Sequence, residues 1–264
     1  MTTSSPARAV GGDVPTVQLF ARTLSAEWAR LWTVRATWWF LLAGTVVMVG
    51  IGTIAGLESR GEATGGDPAW LVASLATMPA QFALLALALT AVTSDYATGG
   101  IVPTLQWTPR RSVLFLARAV VSVATATTLG VLLGVASSAA AWVAGTPGLA
   151  LPVDEGVDVL ATVALVLAAG TSLAVGLGFL LRNTAGGLIA VFLLMLVLPL
   201  FLPQFGYEWL TSFAQALPGS GAAFLLLQEL EGMTRASAVT VLLAWAGGAL
   251  LLGGLRLLRQ DANR

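Results

Sequence analysis

The residues with the most chemistry to offer lie in one stretch, 94–111. It reads Ser94-Asp95-Tyr96-Ala97-Thr98-Gly99-Gly100-Ile101-Val102-Pro103-Thr104-Leu105-Gln106-Trp107-Thr108-Pro109-Arg110-Arg111. Asp95 is suited to capping a helix or pairing with an arginine, and Gly99-Gly100 allows a sharp turn. Pro103 fits the first turn of a short helix running to about Trp107, and Pro109 ends it. Ile101, Leu105 and Trp107 give this piece too much apolar surface for a free loop. The chemistry on offer is adhesion. Either the short helix docks on another protein, or it is an interfacial segment anchored in a membrane by Trp107 and the arginines.

Catalytic parts are scarce elsewhere. The chain has no Cys and no His, so thiolate nucleophiles, zinc-thiolate sites and the commonest metal ligand and general base are missing. All 13 basic residues are Arg. No Lys completes a G-x-x-x-x-G-K-[ST] phosphate loop or forms a Schiff base. An enzyme is not expected, and no bound cofactor either.

The elements that must position this stretch are membrane spans. Of the 264 residues 57% are hydrophobic and only 10% charged, with a mean hydropathy of +0.86. A soluble surface needs about 25% charged residues. Crossing about 30 Å of hydrocarbon takes roughly 20 apolar residues. Segments 37–57, 68–93, 118–144, 157–181 and 237–258 meet that length, and 187–202 is a shorter sixth span bounded by Pro199 and Pro203. The first is too long, and too far from the start, for a cleavable signal peptide. The expected fold is an all-α integral membrane protein with six transmembrane helices.

Arginine placement sets the expected orientation. Arg8, Arg22, Arg30, Arg35, Arg110, Arg111, Arg118, Arg182, Arg256, Arg259 and Arg264 fall on one side, and only Arg60 and Arg235 on the other. Both termini are therefore expected to be cytoplasmic. Every charge falls at a span end or in a loop on this reading, with Gln81 the lone amide well inside a span. An ion-driven carrier would need a charged relay there. Gly52–Gly56 and Gly130–Gly134 match the G-x-x-x-G pattern of close helix contacts.

Three flanking segments complete the layout. Residues 1–15 read as a mobile tail. In 16–36, Val17, Phe20, Leu24, Trp28 and Leu31 share one helical face while Arg22 and Arg30 lie opposite. The expectation is an amphipathic helix in the headgroup plane, or simply an extension of the first span. In 205–230, Pro218 and nearby glycines interrupt a weak apolar run, which is expected to dip into the outer leaflet without crossing.

These patterns together resemble the membrane subunit of type-2 ABC exporters, of the short six-span kind common in actinobacteria. A Trp- and Arg-rich interfacial helix precedes the first span. An acidic–Tyr–x–Thr–Gly pattern (Asp95, Tyr96, Thr98, Gly99) follows the second, then an apolar stretch, Pro-Arg-Arg and a basic residue, Arg118, entering the third. Leu217-Pro218-Gly219-Ser220-Gly221-Ala222-Ala223 is similar to the family's re-entrant extracellular segment between the last two spans. Three positions depart: Asp95 stands for the usual Glu, Ala97 for a basic residue, and Arg118 for Lys.

The resemblance implies a non-catalytic permease domain over 37–264, exporting a hydrophobic or amphipathic substrate by alternating access from the plasma membrane. It implies a second permease copy, as homodimer or heterodimer, and a separate ATP-binding subunit that holds ATP and Mg. Asp95, Tyr96, Gly99, Leu105, Trp107, Arg110, Arg111 and Arg118 would belong to a coupling helix region that meets that ATPase. Phe20, Arg22, Leu24, Trp28 and Arg30 would lie on a connecting helix over 16–36. Membrane lipids are further partners, and no nucleic acid is expected. The competing reading is a non-transporting scaffold or sensor whose cytoplasmic arginines bind a partner or anionic lipid.

Overall fold

The computed structural model describes residues 15–61, 66–107, 110–146, 148–228 and 232–259. The tail expected over 1–15 falls outside these, except for Pro15. Among the described residues six helices are long and apolar enough to cross a membrane, which marks a multi-pass membrane protein. They are α2 (Arg35–Glu58), α3 (Leu71–Thr98), α5 (Arg111–Gly145), α6 (Val153–Leu181), the composite span Thr184–Phe205, and α11 (Arg235–Arg259). Before them lies α1 (Thr16–Thr33), and between α3 and α5 the seven-residue α4 (Ile101–Trp107). The helix foreseen from Pro103 and Trp107 is therefore present.

The spans run longer than their apolar stretches. At 1.5 Å per residue, 35-residue α5 is about 52 Å long, well beyond a hydrocarbon core of about 30 Å. Its first two turns, Arg111 to Arg118, precede the apolar run. Likewise α3 continues to Thr98 and ends at Gly99, whose φ of 74° makes a left-handed cap. Asp95 and Tyr96 thus belong to the last helical turns of α3, not to a loop.

With little hydrophobic drive between helices in lipid, close backbone approach must supply cohesion. A Cβ on Gly52 or Gly56 would press into the carbonyl oxygens of Ser137 and Ala141 on α5, and Ser137 Oγ donates to the Met48 carbonyl at 2.7 Å. Gly176 of α6 abuts the Ala249 backbone of α11 in the same way. Gly130 sits under Leu167 and Leu84. Gly52–Gly56 therefore marks a close backbone seam, whereas Gly130 meets only leucine side-chain ends and Gly134 leaves room for a Cβ in ordinary contact. The most enclosed spans are α3 and α6, and the main apolar core forms around them.

The fifth span comprises α7 (Thr184–Phe192), a π-turn over Leu193–Val197, α8 (Leu198–Phe201) and a 3-10 turn to Phe205. Pro199 lacks the N–H that would serve the carbonyl four residues back, that of Met195, and the helix loosens there. Gly219, near the start of α10 (Pro218–Leu227), packs on that same Met195 carbonyl with no room for a Cβ. A helix α9 (Glu208–Gln215) precedes α10 at an angle of 76°. The chain turns between Gln215 and Pro218, with Pro218, Gly219 and Gly221 inside α10 rather than interrupting it, and α10 is buried against α11, α3 and α6.

Candidate functional site

Four charged side chains from three helices meet at the arginine-rich end. Arg118 of α5 is only 1% exposed and forms a two-pronged pair with Glu27 of α1, Nε to Oε2 at 3.0 Å and Nη2 to Oε1 at 2.8 Å. The same Nη2 donates to Asp95 Oδ2 of α3 at 2.8 Å. Arg30, one turn beyond Glu27, donates from Nε to Glu27 Oε2 at 3.1 Å. Its two terminal nitrogens reach Asp95 Oδ1 and the Ala91 carbonyl. Glu27 is 7% exposed, Asp95 13% and Arg30 26%.

Burying an unpaired ion costs several kcal/mol, so such groups survive only with partners in good geometry. Here two cations face two anions, and each carboxylate is shared between both guanidiniums. Burial and the neighbouring Arg118 charge pull Arg30 below the ordinary arginine value, against the opposite pull of Glu27 and Asp95. Arg118 keeps one donor, Nη1, that is buried with no hydrogen-bond partner.

This arrangement corrects two expectations. Arg118 stands two turns inside α5, buried, rather than at the edge of a span. Arg30 faces inward, not toward the polar side of an interfacial helix. The inner face of α1 carries Thr23, Glu27 and Leu31, whereas Val17 is 79% exposed and Trp28 50%. In lipid-like surroundings an apolar face gains little from turning inward, while an ion pair gains much. The charges therefore set the rotation of α1.

The other residues singled out by sequence distribute around the cluster. Phe20 and Leu24 are partly buried on α1, and Arg22 is exposed. Trp28 meets Trp32 edge-on at 5.6 Å. Tyr96 points away from its neighbour Asp95, with the Arg182 guanidinium 5.5 Å over its ring. Arg110 donates to Thr16 Oγ1 at 2.6 Å, tying the start of α5 to the start of α1. Arg111 reaches the Leu257 carbonyl of α11 at 3.3 Å. Gly99 caps α3. The side chains of Leu105 and Trp107 lie outside what the structure describes.

Glu27 is the residue that sequence reasoning missed. It is the single acid between Thr16 and Ala36, three positions before Arg30, and that spacing places the two side by side on a helix. Compared with known proteins, the chain matches no family model and no curated sequence.

Proposed function

We propose that this chain is the permease subunit of an ATP-binding-cassette exporter, moving a hydrophobic or amphipathic substrate by alternating access. ATP and Mg would reside in a separate ATPase subunit, and a second permease copy would complete the pathway. The membrane would be the plasma membrane, with both termini and α4 on its cytoplasmic side, as the arginine asymmetry argues.

One observation carries the reading. The short helix α4 follows Asp95 by a single turn and the Gly99 cap, and Asp95 is locked to both α1 and α5 through Arg30 and Arg118. A push on α4 would therefore reach three helices at once. Arg110, at the other end of α4, is bonded to Thr16 of α1. A short docking helix gripped at both ends is what a mechanical input from a partner requires. With no Lys, the chain has no G-x-x-x-x-G-K-[ST] phosphate loop, which supports placing hydrolysis in a separate subunit.

The test is co-purification of the ATPase subunit at matched membrane expression. Trp107→Ala should lower ATPase recovery about 30-fold, the scale of a lost aromatic anchor. Transport should fall with it while the permease stays inserted. Undiminished recovery and transport would remove α4 from this role.

A further inference from the structure

The end of the bundle opposite the ion cluster carries an aromatic surface that no described residue covers. The fifth span starts on the cluster's side, where Thr184 Oγ1 donates to Thr93 Oγ1 of α3 at 2.8 Å, and finishes at the far end with Phe205. Of the six spans it is the least enclosed by the rest of the chain, and so the most open to lipid. Gly206, at φ 75°, then turns the backbone into α9. Phe201, Phe205, Tyr207, Trp209 and Phe213 follow one another around this corner, each more than half exposed.

The residues of α9 divide into three faces, each about 100° round from the last. Buried Ala214 and half-buried Leu210, one turn apart, mark the side toward the protein. Trp209 and Phe213, also one turn apart, form an exposed apolar face beside it. Glu208 and Ser212, both exposed, form a polar face beyond that. A helix with rings on one outward side and polar groups on the other suits the headgroup boundary of a bilayer, apolar below and wet above. The helix is also firmly held. It packs on α8, the 3-10 turn and α10. Ser220 Oγ of α10 donates to the Ala214 carbonyl at 2.6 Å, and the Trp245 indole N–H of α11 donates to the Ala216 carbonyl at 2.8 Å.

We infer that α9 is a membrane-surface anchor, with Trp209 and Phe213 seated among lipid chains just beneath the headgroups and Glu208 and Ser212 in water. Because α9 is bonded to α10 and α11, the anchor fixes the depth of α10 in the bundle. The occupant follows from continuity: the patch extends from Leu200 and Phe201, exposed at the end of a span that itself crosses the bilayer. The attraction is aromatic, not ionic. The single charge on α9 is Glu208, and no Lys or Arg lies between Arg182 and Arg235, so anionic lipid has nothing here to bind. The inference needs only a multi-pass membrane protein and is independent of the transport reading.

The chain has no Cys, so single nitroxide labels can be placed at will. Glu208→Cys, Trp209→Cys, Ser212→Cys and Phe213→Cys would each be made alone in the full-length chain, with Leu200→Cys as the lipid-facing reference. All five positions are exposed, so the fold should survive each change. The labelled chains go into dioleoyl phosphatidylcholine vesicles. Power-saturation electron paramagnetic resonance then compares collisions with oxygen, which concentrates among acyl chains, and with nickel(II) ethylenediaminediacetate, which stays in water. Oxygen should dominate at positions 209 and 213, as at 200, and nickel at 208 and 212. Mixing in phosphatidylglycerol should leave that alternation unchanged. Nickel dominating at all four α9 positions would overturn the inference by placing the helix in water. Shielding of positions 209 and 213 from both reagents, with spin–spin broadening, would overturn it in favour of a second copy of the chain. An alternation that needs phosphatidylglycerol would overturn the aromatic basis.

Discussion

The contacts of α5 with α1 and with α2 rest on opposite physics. Toward α1 and α3 it presents Arg118, which holds two carboxylates. Toward α2 it presents the Ser137 and Ala141 backbone, which receives Gly52 and Gly56 with no space to spare. Dispersion at a glycine seam decays within a fraction of an ångström and fixes one geometry. An ion cluster tolerates small shifts, but once a partner leaves, the remaining charge is stranded. The glycine seam therefore behaves as a fixed joint and the charged junction as a latch with two positions, closed or broken.

The latch should show the largest effects. Arg118→Gln leaves Glu27 and Asp95 sharing Arg30 alone, with one buried negative charge uncompensated, and should cost about 3–5 kcal/mol in thermal unfolding of the detergent-purified chain. Adding Glu27→Gln to that variant should cost far less than its effect alone, because the stranded charge is gone. Additive losses would show that the two do not share a latch. At the fixed joint, Gly52→Ala should cost about 1–3 kcal/mol through overpacking. Gly44→Ala, whose new Cβ would meet Leu133 at an ordinary 3.6 Å, should be neutral or better by the same measurement. The smallest destabilisation belongs to Ser137→Ala, which deletes the bond to the Met48 carbonyl and should cost about 0.6 kcal/mol, the mean for such bonds between membrane helices. A cost above that of Gly52→Ala would show that hydrogen bonding, not close packing, holds the seam.

The two regions were not equally legible in the sequence. The spans were readable because hydrocarbon thickness imposes one length on every apolar run, and the α4 ends because Gly99 and Pro103 leave the backbone few options. Gly52 and Gly56 announced a seam by their spacing. The latch was harder to read. An apolar face predicts what turns inward only when water is the alternative, and α1 has no such constraint, so Val17 and Trp28 pointed to the wrong rotation. Arg118 read as a boundary residue because hydropathy registers where apolar residues begin, not where a helix begins. Glu27 required a partner 91 positions away, and no local pattern supplies one.

The charge count of the latch bears on the electric field across a membrane. Moving one elementary charge through 100 mV is worth about 2.3 kcal/mol, enough to bias most conformational equilibria. Glu27, Arg30, Asp95 and Arg118 sum to zero and are joined into one body, so shifting them together along the field does no net electrical work. A junction built this way is free to move at the same energy in an energised cell and a depolarised one. Breaking the latch would separate its charges, so a field acts on that step but not on a rigid shift of the closed cluster.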